Sequence, residues 1–152
     1  MQVQPGIDSV FLVSKGGQAM LDVQQIAINS DLDIVAARVE GRRLAQMMGF
    51  SFIDQVRIVT AISELARNVV LYANGGWITL KRMDSQGNAG IEILCEDQGP
   101  GIENLERVMQ EEGLVGQDER TGLPGIRCLM DEFEIGSLLG RGTTVRACKW
   151  LH

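Results

Sequence analysis

Histidine is almost missing from this sequence: the only one is His152, the last residue. A catalytic triad, a phosphohistidine relay and a histidine metal cage each need an internal imidazole, so all three are excluded by count. Cysteine is scarce too. Cys95, Cys128 and Cys148 are odd in number, widely spaced and without a CxxC pair, which indicates neither a zinc site nor a disulfide framework. Each lies in an apolar stretch and is expected to behave as a small buried hydrophobe. Aromatic residues make up 5% of the chain, so the core has to rest on Val, Ile, Leu, Ala and Met. Positive charge is in deficit, with a formal net charge of −6 and a pI near 4.8. A phosphate-backbone binder needs a clustered positive surface, so nucleic acid is not an expected partner. The nearest basic cluster, Arg38, Arg42 and Arg43, has Asp33 and Glu40 beside it. It reads as a solvated helix face first and as a docking patch second. No apolar run reaches the roughly 18 residues of a membrane span, and the N-terminus has no signal-peptide pattern, so no membrane association and a cytoplasmic location are expected.

What is present describes one ordinary globular domain: 152 residues, 45% hydrophobic and 22% charged. Residues 1–22 are expected to form an N-terminal extension, with Val10-Phe11-Leu12-Val13 interrupted by Gly16-Gly17, and residues 23–152 the folded domain. A strand is expected over Val23 to Ile28. A helix follows from about Asp31 to Met48, with Ser30 as N-cap, Asp33 three positions on and Gly49 as stop. Its apolar set is Ile34, Val35, Val39, Leu44, Met47 and Met48. A second helix, capped by Ser51, runs to about Ala73, where Asn74-Gly75-Gly76 ends it. Val56, Val59, Ile62, Ala66, Val69 and Val70 supply its apolar side, while Arg57, Thr60, Glu64, Arg67 and Asn68 form a polar stripe. Strands at Trp77 to about Met83 and Gly90 to Glu96 flank a turn over Asp84–Asn88. A short helix from about Glu103 to Gln110, a loop over 111–121 and a helix from about Pro124 to Glu132 come next. Phe133 to Leu138 and Thr143 to Trp150 close the chain as a hairpin.

Three places carry possible chemistry. Glu64 and Asn68, four apart, project from one helix face. An amide oxygen can ligate Mg²⁺, and a carboxylate one turn away can take a proton from an attacking hydroxyl. Alone, the pair equally describes a solvated face. Asp97-Gln98-Gly99-Pro100-Gly101 follows a strand, where an aspartate can accept from an exocyclic amine and glycines let the backbone approach a flat ring. Alone, it is also an ordinary turn. Thr121-Gly122-Leu123-Pro124-Gly125 opens a helix, where backbone N–H groups can face a phosphate, or simply cap a loop.

Taken in order, Glu64-Leu65-Ala66-Arg67-Asn68, Asp97-x-Gly99-x-Gly101-Ile102 and Gly122-Leu123-Pro124-Gly125 resemble the N, G1 and G2 boxes of the GHKL ATP-binding family. Neither a GxxxxGK[ST] loop nor an HRD or DFG set is present. Asp33–Arg38, Ala61–Asn68, Glu96–Ile102, Leu123–Ile126, Leu129–Phe133 and Lys149-Trp150-Leu151 narrow the resemblance to the RsbT-type serine/threonine switch kinases of the bacterial stressosome, over about Ile26 to His152. The resemblance implies an α/β (α+β) two-layer Bergerat sandwich, with a mixed, mostly antiparallel sheet and helices on one face. It implies ATP and Mg²⁺ as cofactors, Glu64 as general base, Asn68 on the metal and Asp97 on adenine. Gly99 and Gly101 would shape the purine pocket, and Gly122 and Gly125 would serve the phosphates. Ile102, Arg120, Thr121, Leu123 and Thr143 complete the expected nucleotide contacts. Arg120 stands where the family carries a glycine; it reaches the γ-phosphate, or it stiffens the lid against nucleotide. The implied substrate is a serine or threonine on a STAS-domain antagonist or scaffold protein. A PP2C-type phosphatase regulator is an implied docking partner, and a sigma factor is the third partner class. The competing function is a regulatory module that docks partners with little or no kinase activity.

Overall fold

The computed structural model describes residues 23–110 and 122–152. The expected extension at 1–22 and the loop at 111–121, with Arg120 and Thr121, lie outside the described residues. Chain order is β1 (Val23–Ile28), α1 (Asp31–Met48), α2 (Phe52–Tyr72), β2 (Gly76–Ser85), β3 (Asn88–Asp97), α3 (Leu105–Gln110), α4 (Leu123–Leu129), β4 (Glu132–Leu138) and β5 (Gly142–Trp150). The strands form one sheet in the order β1-β2-β3-β5-β4. The expected mixed, mostly antiparallel sheet is antiparallel at every described pairing.

Strand periodicity decides which side chains meet the helices. Along β3, Ile91, Ile93, Cys95 and Asp97 alternate inward and are buried. Thr143, Val145, Ala147 and Lys149 do the same along β5. Both rows are apolar in the middle and polar at an end. Asp97 and Thr143 terminate them at one end of the sheet, paired across β3 and β5. Lys149 terminates the β5 row at the other end.

α2 lies on this inner face and buries Ile58, Val59, Ala61, Ile62, Leu65, Ala66 and Val69. α1 packs on α2 through Ile34, Ala37, Gly41 and Ala45. A Cβ at Gly41 would run into Ile62 Cδ1, so the helix-interior glycine leaves room for that side chain in the contact between the two helices. This corrects the expected α1 core set. Val35, Val39 and Met47 are exposed, as is Val56 on α2. Both faces of α1 carry apolar residues, and small Ala and Gly side chains pack more closely than the valines.

Element ends follow local bonding. The Asp33 carboxylate accepts from the Asn29 and Ser30 N–H groups (2.7 and 3.1 Å), and Ser51 Oγ accepts from Asp54 N–H (3.1 Å). The expected Asp84–Asn88 turn contracts to Gln86-Gly87, both at positive φ (51° and 86°), as a tight two-residue hairpin requires. The α3 helix starts at Leu105, with Asn104 Oδ1 accepting from Arg107 N–H (3.1 Å). The α4 helix stops at Leu129, short of the expected Glu132, because Met130 turns extended and Asp131 N–H bonds Cys148 O (2.8 Å). Pairing with β5 outcompetes another helical turn. Cys95 and Cys148 are buried, whereas Cys128 is exposed, contrary to expectation. Burial pushes the Cys148 thiol up to about 12, leaving it protonated and inert.

Lys149 ties the far end together. Its Nζ donates to Leu129 O (3.0 Å), the last carbonyl of α4, and lies 3.5 Å from Asp131 and 3.7 Å from Asp54. Lys149→Met leaves those acceptors without their cation. It is expected to cost about 2 kcal/mol in urea unfolding, more than an exposed lysine would. On the opposite sheet face Arg146 bonds Glu92 (2.6 Å) and Glu132 (3.3 Å), and Trp150 Nε1–H donates to Glu132 (2.7 Å). The Trp150 bond, aided by Arg146, holds the Glu132 carboxyl below its ordinary value. A lowered carboxylate contributes stability above its unfolded-state pKa that is lost as pH falls through the folded one. Trp150→Phe is therefore expected to flatten the acid limb of a Tm-versus-pH curve.

Candidate functional site

Three described segments converge along α2. Glu64, Asn68 and Tyr72 occupy successive turns, so the line from Glu64 to Tyr72 spans roughly 12 Å. At its start, Glu64 is partly exposed, and Oε2 accepts from Arg67 Nη1 (3.1 Å). The other oxygen borders Gly122, where a Cβ would lie 2.7 Å from Glu64 Oε1. Gly122 caps α4 at φ 81°, a conformation that glycine reaches without strain. The carboxylate therefore occupies space that any larger residue at 122 would take. One turn along, Asn68 is buried. It is not part of a solvated stripe.

At the other end of that line, the Asp97 loop packs against the carboxyl end of α2. A Cβ at Gly99 would fall 2.7 Å from Ala73 Cβ and 3.2 Å from Tyr72 O. Asp97 is buried, and its Oδ1 accepts from Gly99 N–H (2.9 Å), folding the loop back over the strand end. Gly101, at φ 82°, lies against the β4–β5 hairpin, where a Cβ would meet Leu138 O at 2.4 Å. Gly140 N–H donates to Pro100 O (2.8 Å). Gly99 and Gly101 thus give their missing side-chain space to the protein itself, where the sequence suggested room for a flat ring.

The sequence-derived residues are distributed as follows. Glu64 meets Gly122, Asp97 meets Gly99, and Asp97 pairs with Thr143 across the sheet. Ile102 and Leu123 send their side chains into the core, leaving backbone as their means of contacting a ligand. Among the described residues, Gly125 is the one glycine of the set with space around it: none of their atoms lies within 4 Å of its absent Cβ. Arg120 and Thr121 lie outside the described residues. Two partners escaped the sequence reading, Arg67 on Glu64 and Ser137. The first is legible as an i, i+3 pair on a helix. Ser137 accepts from Ile102 N–H (2.8 Å) across 35 positions, and nothing local announces that.

No family model matches the sequence. Over 133 residues it is 46% identical to the serine/threonine-protein kinase RsbT of Bacillus subtilis (strain 168), spanning 88% of this chain and 100% of that one. The chain belongs to the RsbT serine/threonine-protein kinase family. It is also 37% identical over 100 residues to an anti-sigma F factor of Thermoanaerobacter sp. (strain X514), covering 62% of this chain and 68% of that protein. The fold resembles a crystal structure of RsbU and RsbW domains from Mycobacterium tuberculosis, at a TM-score of 0.58 and 19% identity. That match covers 84% of this chain and 32% of the other, and at such identity it bears on fold alone. Within the RsbT family the enzyme is a serine/threonine protein kinase. Among the described residues no helix is long and apolar enough to cross a membrane.

The glycine spaces separate packing from ligand roles. Gly99→Ala is expected to destabilise the protein by about 1–3 kcal/mol, since the Ala73 side chain and backbone leave no room. Gly125→Ala is expected to leave stability unchanged or raise it by up to ~1 kcal/mol. Thermal unfolding of the two variants checks both.

Proposed function

We propose that this protein transfers the γ-phosphoryl group of Mg-ATP to a serine or threonine of a small STAS-domain antagonist within a cytoplasmic partner-switching circuit, and that it docks a PP2C-type phosphatase. The observation that carries the proposal is the position of Glu64. It sits at the junction of α2 with Gly122, one turn from a buried amide and two turns from the loop of a buried aspartate. Family membership supports ATP as the phosphoryl donor.

In this reading Asp97 accepts from the adenine 6-amino group, and Thr143 stands beside it across the sheet. Mg²⁺ requires only one or two protein oxygens when phosphates and water supply the others, and the Asn68 amide oxygen is a donor of that kind. The ion neutralises charge on the transferring group when bound. Glu64 takes the proton from the attacking hydroxyl, and Arg67, bonded to the same carboxylate, holds it in place. Catalysis on this plan is positioning and charge neutralisation more than covalent chemistry. Gly125 leaves its side-chain space for phosphate oxygens, since among the described residues no atom lies within 4 Å of its absent Cβ.

Glu64→Ala is expected to lose at least ~100-fold in phosphotransfer to a STAS partner while retaining ATP binding, the lower range for general-base help. Full activity would remove Glu64 from that role. In the same assay Gly125→Ala is expected to weaken ATP binding without unfolding the protein.

The likeness to an anti-sigma F factor favours a second reading, a docking module for a sigma factor with little phosphotransfer. Titration with Mg-ATP, followed by asking whether a sigma factor or a STAS protein is retained from a mixture of the two, separates them.

A further inference from the structure

We infer that Ser137 is a specificity-determining positioning residue that fixes the direction of the Thr143 hydroxyl, so that the purine end of the site presents acceptors only and selects a 6-amino purine over a 6-oxo one. This rests on the ATP reading above. Ser137 sits on β4 beside Thr143 on the adjacent β5. Its Oγ lies 2.8 Å from Ile102 N, 3.2 Å from Gly142 O and 2.9 Å from Thr143 Oγ1. A serine hydroxyl has one proton and two lone pairs. Ile102 N–H takes one lone pair. If the serine proton goes to Gly142 O, the Thr143 proton fills the second lone pair, and all four groups are satisfied at once. The reverse polarity, with Ser137 donating to Thr143, withdraws the serine proton from the Gly142 carbonyl. Part-buried polar groups favour the complete arrangement.

The consequence falls on Thr143, which is buried and paired with Asp97 across the sheet. With its proton committed to Ser137, Thr143 offers only lone pairs towards a ligand. The Asp97 side chain likewise accepts, as its Oδ1 does from Gly99 N–H. Two adjacent acceptors suit the donating 6-amino group of adenine and repel a 6-oxo oxygen. Sites that leave a polar group wrongly paired discriminate strongly. Ser137 also pins Ile102, and with it the Gly99–Gly101 loop, to the β4–β5 hairpin, so it supports the position of Asp97 as well as the polarity of Thr143.

The test is competition of ATP and of ITP, which differ at the purine 6-position, against a fluorescent ADP analogue on the full chain. Wild-type protein is expected to prefer ATP. In Ser137→Ala the Thr143 proton is freed to face a 6-oxo group. The ATP-to-ITP affinity ratio is expected to fall about tenfold, the size of one changed hydrogen bond. Ser137→Thr keeps the hydroxyl and is expected to restore the wild-type ratio. Ser137→Cys, which keeps the volume with a poor hydrogen-bonding group, is expected to behave as Ser137→Ala and serves if the alanine variant does not fold. An unchanged ratio in folded Ser137→Ala or Ser137→Cys overturns the assignment, even if Tm falls, because a purely structural serine lowers both affinities together. Wild-type protein that binds neither nucleotide overturns the ATP reading and this assignment with it. Wild-type binding with an unmoved variant ratio overturns the Ser137 role alone.

Discussion

Burial of one side of α2 against the inner face of the sheet is the contact on which the rest depends. The same helix that fills the core with Ile58, Ile62, Leu65 and Val69 carries Glu64 and Asn68 at the border of that buried side. Their orientation is not set by loop geometry. It follows from a rigid rod whose rotation is fixed by apolar packing, and turning α2 to expose Asn68 would pull part of the core into water. The sheet contributes by the same logic. Inward-facing rows on β3 and β5 end in Asp97 and Thr143, so alternation brings a carboxylate and a hydroxyl to the rim of the apolar layer.

Close approach of backbone elements then seals the rim. Gly99 lets the Asp97 loop touch α2, Gly101 lets it touch the β4–β5 hairpin, and Gly122 leaves room for the Glu64 carboxylate. A single glycine-rich loop is therefore held on two sides by separate elements, and Ser137 adds a hydrogen-bonded clasp on the hairpin side. The opposite end of the domain is held by charge instead, with Lys149 joining the end of α4 to Asp131 and to the start of α2. The Glu64 end and the Asp97 end of the candidate site thus belong to one packed unit.

The α1 helix marks where reading along the chain fell short. Ile34, Val35, Val39 and Met47 all look like core residues in one dimension, yet only Ile34 of these is buried. Ala37, Gly41 and Ala45 form the actual contact, because a close helix pair needs small residues and no apolar count rewards them. The bounds of β1 and α1, by contrast, could be read correctly, since caps and stops such as Asp33 and Gly49 are local chemistry. At α4 local signals continued the helix to Glu132, and pairing with β5 ended it three residues earlier.

Residue types and their spacing alone determined the element order and picked out the candidate site residues, a carboxylate and an amide one turn apart, a strand-end aspartate and two glycine pairs, and the family resemblance of those motifs carried the fold class. Those features depend on contacts within a few residues, and the sequence carries them directly. Only the tertiary structure decided that Asn68 is buried, that Gly99 and Gly101 serve packing while Gly125 stands open among the described residues, and that Ser137 reaches Ile102 and Thr143. Each of these is a meeting of segments distant along the chain. Which atoms fill a glycine's empty space, or share a hydroxyl's one proton, exists as a fact only once the sheet has closed.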